Sequence, residues 1–234
     1  MSIVYLGNCF TFYLQHALSY GPSCIYFTEC LWNTTTDVVM VLDMSTGLSN
    51  SDFEAGVSAI AYLTNMVISR DTTKSIRISL VTIAESVNVI RNLSDTSDRI
   101  MLLSRINAMV YLEGQCDSQG PDSNIGCNPS TDKLSEALNL LNDSIFDKKN
   151  NNAREIAVVV TNGGFQVSDE LKRIVGDFKL QERLLVGIAV GEEVVMTNIQ
   201  QLVDDPAYIF TAKFQEVPTN LDVLSAEIFY SSCS

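Results

Sequence analysis

The chain has 234 residues, enough for one sizeable α/β domain with a short appendage and too few for two comfortable domains. Hydrophobic residues make up 46% and charged ones 18%, a balance that fills a core and excludes disorder. The 15 basic and 28 acidic residues leave a net charge of −13, which repels phosphate backbones and anionic membranes and excludes nucleic acid as an expected partner, although such a charge also serves plain solubility.

Residues 1–35 show no sustained periodicity, contain Cys9, Cys24 and Cys30, and turn at Gly21-Pro22. They read as a cysteine-stapled appendage in which His16 packs rather than reacts and Trp32 rests on the domain formed by residues 36–234. Met1 to Leu18 is fairly apolar but lacks a basic start and is interrupted by Asn8, Cys9 and Gln15, so either the true start lies upstream or export uses an atypical leader. No run approaches the roughly 18 uncharged apolar residues of a membrane helix.

The organising stretch follows. Val38 to Leu42 is an apolar, β-branched run bounded by Asp37 and Asp43, too short for a helix and suited to a strand buried on both faces. We read it as the central strand of a mostly parallel sheet, with Asp43 and Ser45 at the crevice beyond its carboxyl end. Ser51 to Ser69 carries Phe53, Val57, Ile60, Ala61, Thr64 and Val67 at helical spacing, with Ser49, Asn50 or Ser51 as its cap. Lys74 to Ala84 reads as a strand, and Ser86 to Ile90 follows so closely that it must return as an antiparallel edge strand. A second helix spans Ser97 to Met109, with Ile100, Leu103, Ile106 and Val110 as its apolar row.

Glu113 to Ser130 has loop chemistry throughout, and loops of that length are usually functional or disulfide-bound. Asp132 to Phe146 is a third helix with an apolar stripe from Leu134 to Ile145. Ile156 to Thr161 is a second strand buried on both faces, closed by Asn162-Gly163-Gly164, a sequence suited to a turn with positive φ. Leu171, Ile174, Val175 and Phe178 mark a helix begun by Ser168. Leu184 to Val190, a short helix at Asn198 to Val203, a strand at Tyr208 to Thr211 and a closing helix at Pro218 to Phe229 complete an alternation that calls for a doubly wound sheet.

Cys9, Cys24, Cys30, Cys116, Cys127 and Cys233 form no C-x-x-C pair and have one histidine for company, which argues against zinc. An even count, all outside the expected strands and helices, reads as disulfides of an exported protein, with Cys116 and Cys127 favoured as partners because they bracket one loop. The sequons at Asn33, Asn92 and Asn142 point to the same secreted location. No dinucleotide, P-loop or nucleophile-elbow motif follows any strand.

An apolar strand ending in Asp43-Met44-Ser45-Thr46-Gly47, followed by a long amphipathic helix, resembles the von Willebrand factor A (VWA) domain over roughly residues 36 to 230. The short Asp-x-Ser-x-Gly form and the cysteine-rich start are similar to VWA domains of secreted nematode proteins that also carry C-type lectin domains. The resemblance implies a metal-ion-dependent adhesion site built from an aspartate and two serines of the first loop, a threonine before the third helix and an aspartate after the fourth strand. Asp43 and Ser45 match it. Gly47 replaces the second serine, Thr131 lies slightly out of step so that Asp132 competes for its place, and Asn162 replaces the last aspartate.

This set implies a degenerate site that holds Mg²⁺ weakly or not at all, because a hard cation needs carboxylate charge to offset its dehydration. Asp43 and Ser45 can equally act as turn and cap residues. The resemblance further implies a clasp between Cys233 and an N-terminal cysteine. The expected function is non-enzymatic adhesion, with Asp43, Ser45, Gly47, Thr131, Asp132 and Asn162 facing an extracellular protein or glycan. A structural scaffold with an idle crevice and a hydrolase using crevice carboxylates are the alternatives.

Overall fold

A computed structural model describes residues 4–6, 9–11, 35–44, 49–71, 75–84, 86–95, 99–110, 133–146, 153–212, 221, 222, 224 and 225. The earliest of these form a small antiparallel pair, β1 (Val4–Leu6) with β2 (Cys9–Thr11). Cys9 therefore lies in a strand, where we had expected irregular chain.

The sheet grows outward from β3 (Thr36–Asp43), every residue of which is buried. It is flanked in parallel by β4 (Ile76–Ile83) and β6 (Arg154–Thr161), with Val38 opposite both Ile78 and Ile156. Beyond β4 runs β5 (Val87–Arg91), antiparallel at one edge as expected; beyond β6 lie β7 (Leu184–Val190) and β8 (Ile209–Ala212), giving the order β5-β4-β3-β6-β7-β8. The pleat divides the core in two. Val38, Met40 and Leu42 pack with Phe53, Ile60, Leu63 and Val67 on one face, whereas Val39 and Val41 pack with Leu138, Ile174 and Phe178 on the other. Fully burying each such side chain stabilises the fold by about 1.5–3 kcal/mol.

Helix α1 (Asn50–Arg70) starts in a capping box: the Asp52 N–H donates to Ser49 Oγ at 3.2 Å and the Ser49 N–H to Asp52 Oδ2 at 3.3 Å. Helix α2 (Arg99–Asn107) differs from its expected row. It buries the expected Ile106 together with Leu102, and Met109 just past its end is buried too, while Ile100 and, beyond the helix, Val110 are 69% and 59% exposed. Helix α3 (Lys133–Leu140) continues into a π-helical turn, Leu141–Ile145, which keeps Leu134, Ala137, Leu138, Leu141 and Ile145 buried in one stripe. Ser168 caps α4 (Asp169–Leu180), and α5 (Met196–Ile199) is a single turn.

Buried charge is concentrated at the amino ends of the strands. Asp37, fully buried, accepts two 2.6 Å hydrogen bonds from Arg77, and in register beside it stands Glu155, paired with Arg183. The Arg183 guanidinium also lies 5.0 Å from the Phe146 ring centre and donates to Asn142 Oδ1. Burial raises the Glu155 pKa, which Arg183 only partly offsets.

Asp71, at the carboxyl end of α1, accepts from the N–H groups of Ser75 and Ile76, each at 3.0 Å, and from Arg99 at 2.6 Å. Burial pushes its pKa up, but these bonds outweigh burial and hold it below the usual 3.8. A depressed carboxylate adds stability that is complete above the unfolded value and is lost as pH falls through the folded one. Urea titrations should therefore show the wild type losing stability below about pH 4 more steeply than Asp71→Asn, which should be weaker at pH 7 and flatter in acid.

Candidate functional site at the carboxyl mouth of the sheet

Parallel strands that share a register end together, so the last residues of β3, β6 and β7 make one mouth. Asp43 closes β3 and is 4% exposed. From the neighbouring strand the Thr161 hydroxyl donates to Asp43 Oδ2 at 2.8 Å, while the Gly163 N–H donates to Thr161 Oγ1 at 3.0 Å. This chain of donors fixes one carboxylate oxygen and aims the peptide after β6 at the mouth. The ladder runs on past Asp43, where the Met44 N–H reaches the Ile83 carbonyl at 2.7 Å.

Asn162 is 8% exposed and folds into an Asx turn, its Oδ1 accepting from the Gly164 N–H at 2.8 Å. Its carbonyl accepts from the Val195 N–H at 2.8 Å, and Asn198 Nδ2 donates to the carbonyls of Gly163 and Phe165 at 2.9 and 2.8 Å. Gly163 has φ +80°, and a Cβ there would sit 2.5 Å from the Val195 carbonyl oxygen. The expected positive-φ turn is thus present at Gly163. On the far side Gly191, φ +105°, lets the Asp52 carboxyl lie against its backbone, tying the start of α1 to the end of β7.

Of the residues expected at the site, the structure brings Asp43 and Asn162 together on adjacent strand ends. Ser45, Gly47, Thr131 and Asp132 lie outside the described residues, as do Asn33, Cys24, Cys30, Cys116, Cys127 and Cys233. The N-cap of α1 is Ser49, one of the three cap candidates. Thr161 was missed: it reads in sequence as the final β-branched residue of a strand, and only the sheet order puts its hydroxyl against Asp43.

For a cation, the described ends of β3 and β6 supply one carboxylate, with Oδ2 already accepting a hydrogen bond, and a neutral carboxamide whose Oδ1 faces a backbone amide. Among the described residues no three His, Cys, Asp or Glu side chains converge. The described donors alone fit a weak hard-cation site that needs further oxygens from elsewhere.

A mostly parallel six-stranded sheet, covered on both faces and carrying an acid at the carboxyl end of its central strand, defines a doubly wound α/β domain. Residues 37–120 match the family model of the von Willebrand factor type A domain. No curated protein sequence matches it. Among solved structures it is similar to proximal thread matrix protein 1 from the mussel byssus (TM-score 0.61, 14% identity), with 86% of this chain aligned to 47% of that one. That protein has also been determined with a zinc-occupied MIDAS motif. It is similar too to manganese-loaded TRAP protein of Plasmodium vivax (TM-score 0.58, 15% identity, 84% of this chain and 74% of that chain). The present chain spans about half the length of the mussel protein. At these identities the likeness shows the fold.

Proposed function

We propose that the domain is a non-enzymatic, extracellular recognition module that binds a protein or glycan at the carboxyl mouth, beside a metal site reduced to one dependable carboxylate. The observation that carries this reading is Asp43 held by Thr161 next to a neutral Asn162. The two metal-loaded structures named above, one zinc-occupied and one manganese-loaded, support the mouth as the place for a cation. Hydrolysis by paired carboxylates is disfavoured by the same geometry, since a carboxamide occupies the second position. The byssus relative supports an extracellular setting, and no described helix is long and apolar enough to cross a membrane.

Calorimetric titration with Mn²⁺ or Mg²⁺ should give weak binding, on the order of 1 mM, as in loosely charged extracellular sites. Asp43→Ala should abolish it; heat that survives the substitution would put the cation elsewhere and sink the reading. Asn162→Asp, which supplies the missing charge, should tighten binding by about tenfold. In a sample from the natural source, six free thiols by non-reducing mass spectrometry would count against the extracellular location.

A further inference from the structure

Two of the sequons fall within the described residues, and the fold treats them in opposite ways. Asn92-Leu93-Ser94 forms the turn that leaves β5, closed by the Asp95 N–H donating to the Asn92 carbonyl at 3.1 Å. Asn92 and Ser94 are both exposed, and the buried Leu93 between them anchors the turn to the core. An acceptor carboxamide and its serine thus face solvent on a rigid bend, a geometry open to glycan transfer.

Asn142-Asp143-Ser144 sits inside the π-helical turn Leu141–Ile145. Asn142 is half-buried, and its Oδ1 accepts from Arg183 Nη1 and from Gln181 Nε2, the latter at 3.0 Å. Arg183 is 7% exposed, packed over Phe146 and Phe178 and paired with Glu155. Asn142 Oδ1 therefore closes over a buried cation, and drawing the sequon out of the π-helical turn to present its Nδ2 would leave that cation short of an acceptor.

We propose that, of these two sequons, Asn92 is the N-glycan acceptor and Asn142 is closed to modification in the folded protein. This rests on the extracellular reading above. The consequence for Asn92 is protective. It directly follows β5, the edge strand among the described residues, where Val89 is 41% exposed, and a glycan there would block pairing of that edge with another chain. Chains modified at Asn142 before folding would lose the cover over Arg183 and drop out of the secreted pool.

The test is the full chain directed to the secretory pathway of a eukaryotic host by a heterologous leader. The secreted fraction is treated with glycosidase in ¹⁸O water, which marks each formerly glycosylated asparagine, and mapped by peptide mass spectrometry. Asn92 should carry the label, Asn142 should not, and Asn92→Gln should lose one glycan in mass. Label at Asn142 in folded, secreted protein, or an unmodified Asn92, would overturn the assignment. Forcing export separates the two readings: free thiols and no glycan in protein from its natural source would count against the extracellular location, and leave the acceptor assignment to the peptide map.

Discussion

Gly163→Ala should destabilise the domain by about 3 kcal/mol or more and disrupt the mouth at the same time. A left-handed residue with a Cβ costs roughly 1–2 kcal/mol from backbone sterics alone. Here the added methyl would also stand 2.5 Å from the Val195 carbonyl oxygen and 3.1 Å from Ile199 Cγ1. Because the Val195 oxygen belongs to backbone, no side-chain rotation relieves the clash, and the segment after β7 must move. That movement would break the Val195 N–H bond to the Asn162 carbonyl and turn the Gly163 N–H away from Thr161, whose hydroxyl holds Asp43. Chemical denaturation reads the first effect. Amide shifts at Asp43 and Asn162 read the second, and a variant of near wild-type stability with those shifts unchanged would show that the turn is not under this constraint.

Arg183→Met should cost about 3–5 kcal/mol, the usual penalty for leaving one partner of a buried pair behind. Methionine keeps most of the packing against Phe146 and Phe178 but strips Glu155 of its arginine donor and removes one of the two donors to Asn142 Oδ1. The pH dependence distinguishes lost charge from lost volume. The Glu155 pKa is already raised by burial, and a carboxyl with a raised folded value favours the folded state at low pH, losing that contribution as pH rises through the folded value. The defect should therefore be larger at pH 8 than at pH 5. Adding Glu155→Gln should recover much of it, giving a coupling of about 1–3 kcal/mol in a double-mutant cycle. Equal defects at both pH values, with no recovery, would mean the arginine acts through packing alone.

How far the sequence foretold these elements depended on how local the signal was. Val38 to Leu42 and Ile156 to Thr161 announce buried parallel strands because no helix would leave such short β-branched runs apolar on every side. The tight return after Ala84 forces an antiparallel edge whatever the rest does. The row of α2 was read rightly at Ile106 and wrongly at Ile100 and Val110, since apolar residues occupy two adjoining rows and only packing on the rest of the domain selects Leu102 and Met109. In β4 the polar Ser79 and Thr82 are buried among apolar neighbours, and Ser79 Oγ donates to the Arg91 carbonyl at 2.5 Å.

At the site, Asp43 and Asn162 were legible from position, each being the first polar residue past a buried strand or its last member. Thr161 and the Glu155–Arg183 pair were not, because both depend on which strands are neighbours. Glu155 meets Asp37 and Arg183 only through the order β3-β6-β7, which no local pattern states. The Asx turn that occupies Asn162 Oδ1 likewise follows from the following glycines adopting a specific bend, and it explains physically why an asparagine is stable where a free carboxylate would carry charge into a nearly buried position.

The most direct measurement of where this domain does its work is paramagnetic broadening of amide NMR signals on addition of Mn²⁺. Broadening should begin at Asp43, Met44, Asn162, Gly163 and Gly164, spare Asp37 and Glu155 at the opposite end of the sheet, and vanish in Asp43→Ala. Broadening centred on Asp37 and Glu155, or unchanged by Asp43→Ala, would contradict a cation-assisted recognition site at the carboxyl mouth.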